Sequence, residues 1–196
     1  MVERLKSTSA GETAPKPGEP MPPFILPDET GRLVSLEDLL AAGPLAVTFH
    51  RGHWCPYCRI NTRALSEAKG KIAAIGAQIV AIMPERQQFA ATFKSDAGLD
   101  YPVLTDIDNG YALSLNLAIW VGDELERLMT ASGRDLPDYQ GNDAWFLPVP
   151  ATFVLAPDGT VKERFIDPDY RRRMAIEDLL SALKHARDRQ ENGHSS

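Results

Sequence analysis

The chain has 196 residues, 43% of them hydrophobic, which is enough for one globular domain to bury a core without disulfide staples. Its net charge is −6, with 21 Lys and Arg against 27 Asp and Glu, so it offers no basic patch of the kind nucleic acid requires. No apolar run approaches a membrane span, residues 1–20 lack the apolar stretch of a secretory signal, and two cysteines are too few for a secreted scaffold. The expected location is the cytoplasm, with neither nucleic acid nor membrane as partner.

In chain order, residues 1–20 are polar and rich in Pro, Ser and Gly, and predict a disordered tail. Phe24-Ile25-Leu26 and Leu33-Val34 flank the turn residues Asp28 to Gly31 and predict a small hairpin. Ser35 is positioned to cap a short helix over Leu36 to Ala42, which Gly43-Pro44 ends. Leu45 to Phe49 reads as a buried strand. A long helical pattern follows Cys55, with Ile60, Ala64, Ala68, Ile72 and Ile75 on one face and Arg63, Glu67 and Lys71 on the other. Gly76 ends it and Gln78 to Met83 predicts a second buried strand. Pro84-Glu85 is expected to open another helix running to about Phe93 or Lys94. Strand, helix, strand, helix is a right-handed crossover with parallel strands and helices on both faces.

Further along, Tyr101 to Leu104 reads as extended and Asn109 to Leu115 as a helical turn or two. Residues 117–147 are the least legible: Glu124 to Thr130 has helical character and Gly133 to Asn142 reads as loop. Ala151 to Leu155 and Val161 to Ile166, joined by Pro157-Asp158-Gly159, predict an antiparallel hairpin. The last helix carries Met174, Ile176, Leu179, Leu180, Leu183 and Ala186 on one stripe, with acids early and bases late, as the helix dipole favours. Arg171-Arg172-Arg173 before it reads as a solvated charge run. The expected organisation is a tail over 1–20, one domain over 21–190 and a flexible end over 191–196.

The chemistry concentrates in Trp54-Cys55-Pro56-Tyr57-Cys58, which holds both cysteines of the chain. Pro56 suits the first helical position, so Cys55 is the expected N-cap, its sulfur facing the free N–H groups of Tyr57 and Cys58. That setting, with Arg51 and Arg59 close in sequence, favours thiolate over thiol. Cys58 lies one turn further in, less exposed. The division of labour is that Cys55 attacks and Cys58 resolves, making a redox-active dithiol. Two other readings stay open on residue types alone: half of a zinc site with His50 and His53, or two inert buried thiols.

The element order and the Cys-x-x-Cys at the first long helix resemble the thioredoxin fold: an α/β domain with a central mixed sheet flanked by helices, here with an N-terminal β-hairpin extension. Trp54-Cys55 matches the thioredoxin pattern and Cys55-Pro56-Tyr57-Cys58 that of dithiol glutaredoxins. Pro150-Ala151-Thr152 is similar to the cis-proline segment of these enzymes, which implies a cis Val149–Pro150 bond against the ordinary trans preference. Phe24 to Asp28, Arg51-Gly52 with the cysteine motif, Leu147 to Phe153 and Asp167 to Tyr170 together resemble the peroxiredoxin-like branch of the alkyl hydroperoxide reductase/thiol-specific antioxidant family over about residues 21–185.

That resemblance implies an antioxidant oxidoreductase, a peroxidase for hydrogen peroxide or organic hydroperoxides. Cys55 would become a sulfenic acid, Cys58 would close the disulfide bond, and a thioredoxin- or glutathione-type donor would reset it. No cofactor or metal is implied, and family members often form homodimers. Arg51, Trp54, Pro150 and Thr152 are the residues expected to bind substrate or stabilise the thiolate. The chain departs from the family's Pro-x-x-x-Thr-x-x-Cys pattern, with Thr48 and Gly52 at the Pro and Thr positions. The strand that usually brings an Arg reads Ala151-Thr152-Phe153, so another cation must polarise the peroxide: Arg51, Arg59 or one of Arg171 to Arg173. The alternative activity is thiol–disulfide exchange with protein or glutathione disulfides, which the dithiol and Pro150 alone would support.

Overall fold

The computed structural model describes residues 9–191, with side chains through 187. Five strands form the central sheet: β3 (Leu45–Phe49), β4 (Gln78–Met83), β5 (Val103–Thr105), β8 (Ala151–Leu155) and β9 (Val161–Ile166), in spatial order β5-β4-β3-β8-β9. The β3–β4 and β4–β5 pairs are parallel, while β3–β8 and β8–β9 are antiparallel, so the sheet is mixed as expected. An N-terminal hairpin, β1 (Ile25–Pro27) with β2 (Leu33–Ser35), leads into the short helix α1 (Leu36–Leu40). The Ser35 side chain accepts from the Asp38 N–H and caps that helix.

Strand alternation sends side chains to two cores. On one face Ala46, Ile79, Ala81, Met83 and Val154 meet three helices: α2 (Pro56–Ala74), α3 (Gln87–Ala97) and α7 (Ile176–Glu191). Both cysteines belong to this face. On the other, Leu45, Val47, Phe49, Val80, Ile82 and Phe153 meet the hairpin, α1 and α4 (Gly110–Ser114). In α7 the buried stripe runs Leu179, Leu183, Ala186, in line with the apolar spacing.

Three expectations need correction. The buried stripe of α2 is Cys58, Thr62, Leu65, Ala68 and Ile72, whereas Ile60 is 67% exposed. Burying Cys58 under the sheet fixes the helix's rotation, and Ile60 falls two positions away, on the outside. Secondly, α3 begins at Gln87 with Arg86 as N-cap, so Pro84-Glu85 ends β4's approach to the site rather than opening a helix. Thirdly, residues 9–20 are ordered. The Gly11 N–H donates to the Asn116 carbonyl and the Gly18 N–H to that of Val161, and Arg164 donates to the carbonyls of Ala14 and Pro15. Backbone pairing needs no apolar pattern, so composition could not reveal it. Residues 1–8 and 192–196 lie outside the described residues.

Residues 117–147 form a small layer of their own. Strands β6 (Ala118–Trp120) and β7 (Phe146–Pro148) pair antiparallel around α5 (Asp123–Ala131) and α6 (Leu136–Gln140). Val121, Met129, Leu136 and Leu147 make a third apolar cluster, on which Trp54 packs. Helix α6 falls where loop is expected; Pro137 near its start, the Asp135 cap and Gly141 at its end define it.

Gly43, at φ +134°, opens β3, and a Cβ there would collide with the backbone carbonyl oxygen of Gly76, which cannot swing aside. Gly43→Ala is expected to cost about 1–3 kcal/mol, read as a lowered urea midpoint at unchanged m-value. A midpoint equal to wild type would contradict this packing of the α2–β4 turn against the start of β3.

Candidate active site

Strand β3 ends at Phe49 and the chain turns through His50 to Trp54 before α2 begins. Gly52 sits in this turn at φ +144°, with the Cys55 N–H donating to its carbonyl at 3.1 Å. Cys55 is the N-cap of α2 and Pro56 its first residue, the arrangement the sequence predicts. Cys55 is 1% exposed and Cys58 is fully buried, and both are free thiols. The Cys58 backbone N–H donates to the Cys55 carbonyl at 3.1 Å and the Cys55 side chain accepts no cap hydrogen bond, so the expected capping of the sulfur is not made.

The two thiols are driven apart in acidity. Cys55 is lowered to about 6, chiefly by a hydrogen bond from the Cys58 thiol. Burial opposes the shift, and the charge of Arg51, the Cys58 N–H and the charge of Arg173 add to it. Cys58 is raised well above its ordinary value, by burial first and then by its hydrogen bond to Cys55 and the charge there. One sulfur is thus the thiolate and the other its proton-bearing partner.

Arg51 is only 6% exposed. Among the described residues, two aromatic faces rather than a carboxylate flank its guanidinium: Trp54 at 5.1 Å and Tyr170 at 4.4 Å. Tyr57 meets Tyr170 edge-on at 5.6 Å. The Arg51 backbone N–H donates to Cys58 Sγ at 3.4 Å, so Arg51 serves both sulfurs. Of the triple arginine, Arg171 pairs with Asp169 and Arg172 with Asp167, but Arg173 turns inward and places Nη2 3.5 Å from Cys58 Sγ. The solvated-run reading therefore holds for two of the three. Arg59 pairs with Asp96 at the surface.

Sequence reasoning missed Glu85. It is fully buried, and its carboxylate accepts from the His53 backbone N–H at 2.8 Å and pairs with His53 Nδ1 at 2.9 Å. Burial pushes its carboxyl up, and the hydrogen bond and charge of His53 pull it back. A Cβ on Gly52 would lie 2.5 Å from Glu85 Oε1 and 2.6 Å from Trp54 Nε1. The carboxylate thus occupies the space that a threonine at this position would need, and anchors the turn that delivers Cys55. The His53 ring is packed between Phe89 and Tyr139.

His50 is buried and hydrogen-bonded to Thr48 at 3.0 Å. The Thr48 hydroxyl gives its proton to the Val80 carbonyl, so His50 Nε2 must be the donor to Thr48. Burial, then the charge of Arg173, lowers His50 to about 3 and keeps it neutral. His50 and His53 thus have different partners on different elements, Thr48 and Glu85.

Pro150 lines a narrow apolar crevice beside Arg51, with Val121, Leu147, Val149 and Tyr170. The expected cis bond is absent: Val149–Pro150 is trans. The Val149 N–H donates to the Leu117 carbonyl, Pro148 pairs with Ala118, and Ala151 already pairs with Phe49, so the linker is held extended from both ends. Thr152 lies opposite Thr48 in the β3–β8 register. By alternation it is on the cysteine face of the sheet, on the strand next to β3, and among the described residues no hydrogen bond joins it to either sulfur.

The comparisons agree with this geometry. The profile of the AhpC/TSA family matches residues 17–164. Two peroxiredoxin sequences from strains of Mycobacterium tuberculosis are 33% identical over 92 residues, covering 47% of this chain and 58% of theirs, so the match spans little more than half the length of those relatives. Among solved structures, peroxidoxin BcpB from Mycobacterium tuberculosis superposes with a TM-score of 0.69 at 21% identity, covering 88% of this chain and 99% of that one. Peroxiredoxin Q from Xanthomonas campestris gives 0.64 at 17% identity, covering 84% and 92%.

Glu85→Ala leaves the buried His53 N–H without its acceptor and should cost about 1–3 kcal/mol, seen in urea unfolding, while Glu85→Gln, which still accepts from that N–H, should cost less. Equal losses in the two variants would show that charge rather than the anchor matters. The Cys55 thiolate should titrate with a midpoint near pH 6 by ultraviolet absorbance, and Arg51→Met should move that midpoint upward. Because the folded value lies below the unfolded one of about 8.5, the thiolate adds stability that is fully present above the unfolded value and is lost as pH falls through about 6.

Proposed function

The chain belongs to the AhpC/TSA family, and from that membership we propose that it is a peroxiredoxin-like thiol peroxidase. The observation that carries the reading is the state of Cys55: acidic enough to be a thiolate at neutral pH, yet 1% exposed beside a buried arginine. A nucleophile so enclosed in the reduced protein favours a small oxidant over a folded protein disulfide. The peroxide enters along the crevice beside Arg51 and Pro150. The Cys55 sulfur attacks the near oxygen, the O–O bond breaks, and the departing oxygen leaves as water or an alcohol after taking a proton. Arg51 stabilises the charge that develops on that oxygen, the task that a strand-borne arginine performs in typical family members.

Cys55 is then a sulfenic acid, and Cys58, in the first turn of the same helix, closes the disulfide and stops further oxidation. A thioredoxin- or glutathione-type thiol donor resets the pair in a reducing compartment, for which the cytoplasm is our assignment, and a homodimer is the expected assembly. The role of Trp54 is to flank Arg51 and tie the motif to the third cluster; Thr152 is a sheet residue behind the site. Exchange with protein disulfides is disfavoured by the burial of Cys55 in the reduced protein.

Peroxide consumption with a dithiol reductant tests the proposal. Cys55→Ser should abolish turnover, and retained turnover would remove Cys55 as the nucleophile. Cys58→Ser should accumulate a Cys55 sulfenic acid that a dione reagent traps in a mass spectrum. No trapped species in that variant, with wild type forming the disulfide, would contradict the assigned order of the two cysteines.

A further inference from the structure

Resolution demands something of Cys58 that its surroundings resist. A resolving sulfur attacks as thiolate, and in the reduced protein the Cys58 thiol is held protonated by burial, by its hydrogen bond to Cys55 and by the charge there. Oxidation of Cys55 to a neutral sulfenic acid removes the last two of these. Burial remains, opposed by two groups aimed at the same sulfur: the Arg51 N–H at 3.4 Å and the Arg173 guanidinium at 3.5 Å.

Arg173 is built into this place. Its Nη1 donates to the carbonyls of Tyr170 and Arg172, at 2.5 and 2.7 Å, which fixes the guanidinium at the bend before α7. Its Nε is buried and has no partner among the described residues, although Arg171 and Arg172 find carboxylates at the surface. Burying a guanidinium with one N–H unsatisfied is costly. Here the cost places a fixed positive charge against the one sulfur that must ionise in a dry site, where a charge-assisted contact is strongest.

We propose that Arg173 is a catalytic residue of the resolving step, holding the Cys58 sulfur as thiolate while it attacks the Cys55 sulfenic acid. The charges of both Arg51 and Arg173 favour the Cys55 thiolate, but the guanidinium in contact with the Cys58 sulfur is that of Arg173. In the step, the Cys58 thiol gives up its proton, its sulfur forms the S–S bond, the S–O bond of the sulfenic acid breaks, and hydroxide leaves with that proton as water. No further oxidant or reductant is consumed. The assignment of this step rests on the peroxidase reading, because that reading supplies the sulfenic acid.

Rapid mixing of wild type, Arg173→Met and Arg173→Lys with hydrogen peroxide separates the two steps, loss of the Cys55 thiol and formation of the disulfide. Losing a charge-assisted contact should slow disulfide formation by about tenfold or more in Arg173→Met, with a smaller loss in the peroxide step. Sulfenic and then sulfinic acid should accumulate, and Arg173→Lys should recover part of the rate. Equal slowing of both steps, or an unchanged disulfide step, would overturn the proposal. A second measurement needs no peroxide: thiolate absorbance of Cys58 in a Cys55→Ser background, corrected with the double cysteine variant. Adding Arg173→Met should move the Cys58 titration upward, and no movement would overturn the proposal. An upward movement in a protein whose wild type ignores peroxide would uphold the Arg173–Cys58 contact and remove the peroxidase reading instead.

Discussion

The placement of Cys55 and Cys58 together in a buried site at the start of one helix is the constraint on which the rest of the structure depends. It makes one cysteine acidic at the expense of the other, so the two thiols are already distinguished in the reduced protein. For this to hold, both sulfurs must be kept from water and at one-turn separation, which a helix starting at Pro56 supplies. The helix must then lie with Cys58 against the sheet, and that rotation puts Thr62, Leu65, Ala68 and Ile72 into the core and leaves Ile60 outside.

The charges near the pair come from three distant segments. Arg51 arrives from the end of β3 and is clasped by Trp54 and by Tyr170, which lies well over a hundred residues further on. Glu85, at the end of β4, pins the backbone of His53 and fills the room beside Gly52. Arg173 closes the site from the bend before α7. These contacts meet because β3 lies between β4 and β8 in the sheet, so chain ends remote in sequence emerge side by side. The family's threonine and strand-borne arginine are absent from their usual positions, and a different set of polar groups surrounds the cysteines.

Legibility in the sequence tracked how far each feature reached along the chain. The crossover from β3 to α3, the β8–β9 hairpin and the α7 stripe were readable because each rests on local periodicity or turn chemistry. The buried face of α2 was misjudged because it includes Cys58 and Thr62, which apolar counting passes over, while Ile60 scores as core and is not. The layer over residues 117–147 stayed obscure because its elements are short and its apolar members, Val121, Met129, Leu136 and Leu147, are too widely spaced to show a period. In the site, Cys55, Cys58, Arg51 and Trp54 were found by adjacency. Glu85 was mistaken for a helix opener, and Arg173 was hidden in a run of three arginines of which two are solvated. Only the fold reveals which one turns inward.

The central claim is that Cys55 is a thiolate kept for small oxidants. It is tested most directly by offering the reduced protein, in separate rapid-mixing experiments, hydrogen peroxide and a folded protein disulfide, and comparing each rate with that of a free thiol. Peroxide should oxidise Cys55 far faster than a free thiol, and the protein disulfide should react no faster than one. Rapid exchange with the protein disulfide, alongside peroxide oxidation at free-thiol speed, would contradict it.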